Sequence, residues 1–411
     1  MAITVIRRTS DRRVSGGRAA VNFCKMGTGN RSLLSVEILP DAARQALIAD
    51  EWDAAIPPAF TQTLSQSAWY FAWKAAFTPK RSVVITARES GRLVGLMALS
   101  ELRTDARGLY FSQITNFTGG DYQVPVVAEG AGNAVLSALL DAAIQHFGKR
   151  RVYWWANLPA DESCAIFLGE YLRSRGIRFT EEFRVAPRLA IRGRSFAEVE
   201  KEWAPNHRTD VRRQKKRLST RGELTLWEPE NQDSARELLE EFFLVHDEKW
   251  LSQGQPGKFQ EMQQRKHFIE IVEKLFGRGL HFSVLRCGKV NVSFGFGFLS
   301  DGWIQWYRPT YRPEYQNFSP GKVHIALLVD RVCESGWKGI DFLQGEESYK
   351  LQWANESVRT VDYFASYSGW SPGYFWFTQG KPYLKNKAGP FYMRTKARLQ
   401  SAARSLLQKK M

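Results

Sequence analysis

The stretch Gln316-Asn317-Phe318-Ser319-Pro320-Gly321, followed by Lys322, has the makings of an anion cradle. Proline is favoured at the first helical position, because its missing N–H would go unpaired there in any case. The free N–H groups after it sit at the positive end of the helix dipole. Gly321 lets a ligand approach the backbone closely, and Lys322 adds charge. The plainer reading of Ser-Pro-Gly is a helix cap alone. A second group, Gly345-Glu346-Glu347-Ser348-Tyr349-Lys350, places carboxylates, a phenol and an ammonium within six residues. That set can do acid–base chemistry. It follows the apolar stretch Gly339–Leu343, and loops at strand ends are where such groups are often placed. The bland alternative is a solvated loop in which Tyr349 packs and Lys350 pairs with Glu346. Asp341 alternates with apolar neighbours and needs a partner if it faces the core.

Two further groups are ambiguous by type. His246 and Trp250, in His-Asp-Glu-Lys-Trp, are four apart and share a helix face. They are either a histidine packed on an indole or part of an acceptor cleft. The run Asn206–Leu218 carries Arg208, Arg212 and Lys215 or Lys216 on one helical face. That face suits the 3′-phosphate of a nucleotide donor, a phosphorylated sugar carrier or RNA, or is simply solvated. RNA is the least expected partner, since the run lacks interleaved aromatics. No His-Glu-x-x-His, paired cysteines, Gly-x-Ser-x-Gly or P-loop pattern is present, so neither a metal nor those chemistries are expected.

The elements around these residues repeat. Helices are expected near Leu39–Pro57 and Ser67–Phe77. They are followed by a hairpin turning at Ser90-Gly91, a strand over 108–117, a helix over 132–147, a strand over 151–156 and a helix over 163–175. The second half runs helices over 206–220, 232–252 and 259–276, a hairpin turning at Cys287-Gly288, a strand over 302–307, a helix from Pro320 and a strand over 339–343. An offset of 188 residues aligns Ala138-Leu139-Leu140 with Ala326-Leu327-Leu328, Gly148 with Gly336, and Val152 with Ile340. A hairpin beside a strand–helix–strand unit implies an α/β chain with a mixed sheet and helices on both faces.

Charge is concentrated. The net charge is +16, with +6 in residues 1–31, +6 in 206–221 and +9 in 381–411, leaving −5 elsewhere. Two basic tails and one basic segment point to local contact with phosphates or an anionic membrane. Residues 391–411 form a thin amphipathic stripe through Tyr392, Leu399, Ala403, Leu406 and Leu407. Four scattered cysteines, no secretory apolar segment and no long apolar run fit a cytoplasmic protein, peripheral at most to the inner membrane face.

The run FSPGKVHIALLVDRVCESGWKGIDFLQGEESYKLQWA, with HDEKW upstream and GGDYQVP in the first half, resembles the GNAT acetyltransferase domain of the cellulose-biosynthesis CelD family. A tandem arrangement is also similar to the Fem peptidyltransferases. The resemblance implies two tandem GNAT-like units, the first degenerate. Their bounds are a basic tail without fixed structure (1–35), an N-terminal unit (36–190), a C-terminal acyltransferase unit (191–375) and a basic tail (376–411). It implies an acyl-CoA donor, acetyl-CoA or another, and an amine or sugar-linked acceptor, with a role in exopolysaccharide synthesis. The alternatives are a Fem-like aminoacyl-tRNA-dependent transferase or a non-catalytic partner of a polysaccharide synthase. On this reading Gln316, Ser319, Gly321 and Lys322 hold the donor pyrophosphate, with Ser319 where the family pattern has its first glycine. Glu346 or Glu347 takes the amine proton, Tyr349 protonates the thiolate, and Lys350 holds a phosphate or an acceptor carboxylate. Asp121, Tyr122, Arg212, His246 and Trp250 line the substrate cleft. At the same offset the first half has Ala128, Ala131 and Asn133, so it is expected to support rather than bind the donor.

Overall fold

The computed structural model describes residues 20–22, 34–79, 81–106, 109–369, 372–376 and 378. The expectations for the basic tails fall almost wholly outside these residues. The first unit runs β1 (Ala20–Asn22), β2 (Leu34–Leu39), α1 (Ala42–Leu47), α2 (Ala49–Ala54), α3 (Gln62–Ser65) and α4 (Ser67–Phe77). Then follow β3 (Arg81–Glu89), β4 (Arg92–Ala106), β5 (Leu109–Thr115), β6 (Val126–Val127), α5 (Gly132–Phe147), β7 (Val152–Pro159), α6 (Ser163–Ser174) and β8 (Arg178–Ala190). The second unit runs α7 (Phe196–Glu202), α8 (Pro205–Ser219), β9 (Leu224–Trp227), α9 (Gln232–Ser252), a 3-10 turn at Lys258–Gln260, α10 (Met262–Leu275), β10 (Leu280–Cys287), β11 (Val290–Ser300) and β12 (Trp303–Tyr311). A 3-10 turn at Pro313–Phe318 leads into α11 (Pro320–Glu334), β13 (Gly339–Asp341), α12 (Ser348–Leu351), β14 (Glu356–Ser366) and α13 (Pro372–Phe375).

The expected repeat is real. Helices α5 and α11 begin 188 residues apart and are each followed by a glycine in the left-handed region, Gly148 at φ 88° and Gly336 at φ 67°. Glycine adopts that conformation without the steric cost a Cβ imposes. In each unit the strand before the helix pairs in parallel with the strand after it. β5 meets β7 over Gln113–Thr115, and β12 meets β13 over Trp303–Gln305.

The two units share one mixed sheet, in the order β1-β2-β3-β4-β5-β7-β14-β8-β13-β12-β11-β10-β9, with β6 against β4. Each unit ends by lending its last strand to the other. β8 pairs antiparallel with β13 of the second unit, β14 pairs antiparallel with β7 of the first, and β8 and β14 pair with each other from Arg178 to Arg188. These two strands were not expected from sequence. β8 contains Pro187, which ordinarily argues against a central strand. Here the Pro187 carbonyl accepts the Phe342 N–H, so the missing donor does not stop the sheet from continuing. The units are also joined on the helical side, where α4 packs on α10. One apolar core there takes Trp69 and Tyr122 from the first unit and Phe242, Phe268, Phe296 and Phe298 from the second. Each of these side chains is 2% exposed or less, and burying a large side chain contributes roughly 2–3 kcal/mol.

Candidate functional site

β12 and β13 stay paired for three residues and then diverge. The divergence is prepared by β11. Phe296 faces Arg308 and Phe298 faces Gln305, so Trp306 and Tyr307 together bulge opposite Gly297. A Cβ on Gly297 would lie 1.9 Å from the Gln305 carbonyl oxygen, so only glycine admits the bulge. Beyond it the chain turns through Pro313–Phe318 into α11. Ser319 is the N-cap, in the left-handed region at φ 48°, and Pro320 is the first helical residue. The Ser319 side chain makes no capping bond; its carbonyl accepts the Lys322 and Val323 N–H at 2.9 and 3.2 Å, so of the first-turn amides the Gly321 N–H is the one left without a backbone acceptor. A Cβ on Gly321 would meet only Tyr311 Cδ1, at 3.8 Å, so the space beside the first turn is open.

The basic helix α8 lies alongside this turn, though not with the face expected. Arg217 donates to the Asn317 carbonyl at 3.1 Å, and the guanidinium groups of Arg217 and Arg221 lie over the Phe318 ring at 5.4 and 5.3 Å. Arg212 instead holds Glu200 of α7 through Nε at 2.8 Å and a terminal nitrogen at 2.6 Å, while Arg208 caps the Lys201 carbonyl. Arg212 therefore belongs to the α7–α8 joint rather than the cleft. Lys322 is paired with Asp210 of α8, which ties the start of α11 to the basic helix.

The corresponding place in the first unit is closed. The Asn116 side chain accepts the Ala156 N–H at 2.7 Å and donates to the Ala156 and Gln123 carbonyls at 3.2 and 3.1 Å. It thereby stitches the ends of β5 and β7 together. By strand register its counterpart is Tyr307, whose hydroxyl instead donates across to the Gly119 carbonyl of the first unit at 2.9 Å.

The Gly119–Tyr122 loop thus enters the second unit. The Asp121 carbonyl accepts from the Gln344 side chain at 3.1 Å. Burial pushes the Asp121 carboxyl above the usual carboxylate range, and the charges of Arg308 and Lys350 oppose that shift. Tyr122 is fully buried and donates to Asp341 at 2.8 Å. Arg188 of β8 donates to the same oxygen at 2.7 Å, and the other Asp341 oxygen accepts the Leu343 N–H at 2.8 Å. Asp341 has its partners, and Tyr122 acts as a strut at this core rather than as a substrate contact.

The loop after β13 divides into committed and available groups. Lys350 is buried, donates to the Gln344 carbonyl at 2.7 Å and pairs with Glu347 at 2.9 Å. It clamps the loop that Gln344 and Asp121 share, so its ammonium is not available to an acceptor, and its carboxylate partner is Glu347 rather than Glu346. Glu346 is exposed to solvent. Tyr349 is 36% exposed, and burial of its ring, then the Glu347 charge, pushes its phenol up. It holds its proton at neutral pH.

On α9, Trp250 donates its indole N–H to His246 Nε2 at 3.1 Å. His246 packs on Phe242 and Phe259, and its imidazole is pushed down to about 3 by burial and then by Arg308, Lys249 and Lys258. The pair is a packed histidine–indole unit. The residue that binds the region together electrostatically is Arg308. It acts on Asp121, His246, Lys258 and His267, and its guanidinium lies over the Tyr307 ring at 5.0 Å. Sequence reasoning missed it. A lone arginine next to a proline in an aromatic strand carries no motif; only the bulge turns it inward.

Residues 205–351 match the acetyltransferase (GNAT) domain. This span runs from the start of α8 through the turn before α11 to α12. Solved structures with the same fold include FemX, at 11% identity, covering 81% of this chain and 98% of that one, with a TM-score of 0.55. A candidate lysylphosphatidylglycerol synthetase from Agrobacterium fabrum is similar through its C-terminal domain, at 10% identity, 82% and 96% coverage and a TM-score of 0.51. A conserved protein of unknown function from Bacteroides thetaiotaomicron gives 13% identity, 79% and 97% coverage and 0.50. No curated protein sequence matches the chain. The GNAT-like fold therefore extends over both units. Among the described residues no helix is long and apolar enough to cross a membrane, and no three His, Cys, Asp or Glu side chains converge as a metal site would require.

Proposed function

We propose that the protein is an N-acyltransferase that takes an acyl group from acyl-CoA bound to the second unit and passes it to an amine in the cleft between the units. The observation that carries this is the open, uncapped start of α11 immediately beyond the β12 bulge, set against the stitched counterpart in the first unit. The pyrophosphate would lie on the amides near Ser319, Gln316 and Gly321, with Arg217 and Arg221 beside it. Glu129, exposed before α5, puts a negative charge near the equivalent turn of the first unit.

In the transfer, the amine nitrogen attacks the thioester carbonyl, a C–N bond forms and the C–S bond breaks. Asp121 takes the amine proton. A carboxylate with a raised pKa is a stronger base at neutral pH than an ordinary one, and among the carboxylates of this region it replaces Glu346, which is exposed, and Glu347, which is held by Lys350. Tyr349 gives its proton to the departing thiolate. Acetyl-CoA, a role in exopolysaccharide synthesis as in the CelD resemblance, and attachment to a polysaccharide synthase or an anionic membrane are the extensions of this reading.

A second reading has one observation in its favour. Arg217 of α8 and Arg221 just beyond it lie against the turn before α11, and such cations also suit an aminoacyl-tRNA donor of the Fem type. Release of CoA from acetyl-CoA, measured over a panel of amines, separates the two. The first reading expects amine-dependent release that falls by about 10²–10⁴ in Asp121→Asn. Transfer from charged tRNA with no CoA release would replace it by the second.

A further inference from the structure

The cluster around Arg308 holds more positive charge than the chain itself balances. Ionic side chains nearby are matched: Arg312 pairs with Glu241, Lys322 with Asp210 and Lys350 with Glu347. Arg308, Lys258 and Lys249 are different. Among the described residues none of the three has a carboxylate within 4.0 Å. Arg308 is half-buried, its Nε is buried without a hydrogen-bond partner, and its neighbours His246 and His267 each keep one buried ring nitrogen unpaired. Lys249 lies over the Tyr311 ring at 4.2 Å, at the same end of the bulged strand. Burial pushes Lys249 and Lys258 down to about 8, with Arg308 adding to the shift at Lys258. Glu261 and Asp121 act on Lys258 in the opposite sense. With both histidines neutral, Asp121 offsets Arg308, and Glu261 and then Asp121 offset Lys258. A buried charge without a partner costs several kcal/mol, so a fold keeps such a group where a ligand completes it.

On the reading above, we propose that the acceptor amine carries an oxyanion, carboxylate or phosphate, which Arg308 and Lys258 receive while Asp121 faces the amine. The first unit then contributes the base and the second unit the anion subsite, so neither unit alone can position the acceptor. This explains why the Gly119–Tyr122 loop is built into the second unit through Tyr307 and Gln344.

The test needs no acyl donor, so it stands apart from donor identity. Pyridoxal 5′-phosphate combines an anion with an aldehyde. Its phosphate should seat on Arg308 and its aldehyde condense with Lys258 or Lys249, losing water to give an imine that borohydride reduces for mapping. Labelling should be selective for these two lysines, should not occur with pyridoxal, and should fall about 10- to 100-fold in Arg308→Met, the range for loss of a charged hydrogen bond. Arg308→Lys should restore much of it, and the melting temperature shows that both variants fold. Protection by glycine but not glycinamide assigns the carboxylate. Protection by glucosamine 6-phosphate but not glucosamine assigns the phosphate. Labelling spread over surface lysines, labelling unchanged in Arg308→Met, or no protection by either anion overturns the proposal. Acetyl-CoA binding measured on the same samples shows separately whether the donor reading holds.

Discussion

Replacing Asp341 by asparagine keeps the shape of the side chain and removes its charge. Arg188 is then left buried with no counter-ion, since its side chain is 5% exposed and that of Asp341 0%. Removing one member of a buried ion pair costs about 3–5 kcal/mol. The Tyr122 hydroxyl would also face an amide that offers one acceptor instead of two, so the loss should fall at the upper end of that range. The site ties Tyr122 of the first unit, the exchanged strand β8 and the second unit's β13 to one carboxylate. Urea unfolding should therefore shift as one transition, not as the loss of one unit. The double variant Arg188→Met, Asp341→Leu replaces the pair with apolar groups of similar size and should regain most of the stability. A loss below about 1 kcal/mol in Asp341→Asn, or a double variant as unstable as the sum of its singles, would refute the ion-pair argument.

Three other outcomes follow. All six histidines have folded pKa values below the ordinary one, led in each case by burial, with His246, His267 and His324 at about 3 and His281 at about 4. The unfolded chain therefore binds protons first, and stability present above about pH 6.5 is lost as pH falls toward 4, by several kcal/mol in equilibrium unfolding; a flat profile across that window contradicts the burial. Lys350→Met should lower the melting temperature, through about 1–3 kcal/mol from carbonyls left unpaired, with donor KM unchanged; a selective rise in KM would return Lys350 to the substrate. Tyr349→Phe should lower kcat by about 10²–10⁴ with donor affinity intact; full turnover would end its role as the acid.

The repeat was legible because helix periodicity, the glycine stops and the buried strands Val152–Ala156 and Gly339–Leu343 are local signals at one fixed offset. The start of α11 was legible for the same reason, since Ser-Pro-Gly before an apolar helix is written in consecutive residues. What sequence did not disclose depends on partners far along the chain. β8 and β14 carry charged residues along their length, β8 is interrupted by Pro187, and only their mutual pairing makes them central. Arg212 shares a helical face with other cations in projection, yet Glu200 captures it. Asp121 was marked for substrate contact, but its raised carboxyl comes from burial in a loop held by Gln344, more than two hundred residues away. Arg308 gained its position from a bulge that Gly297 permits on the neighbouring strand.

Calorimetry with acetyl-CoA on two matched variants tests the central claim most directly. Gly321→Asp places a carboxylate in open space at the start of α11, where it meets no nearby atom closer than Tyr311 and, as an acid in the first helical turn, should not weaken the fold. Asn133→Asp makes the same change at the matching turn of the first unit. The second-unit donor site predicts that Gly321→Asp loses acetyl-CoA binding by at least about tenfold while keeping its melting temperature, and that Asn133→Asp binds as the parent does. Equal binding by both variants, or loss in Asn133→Asp alone, would contradict it.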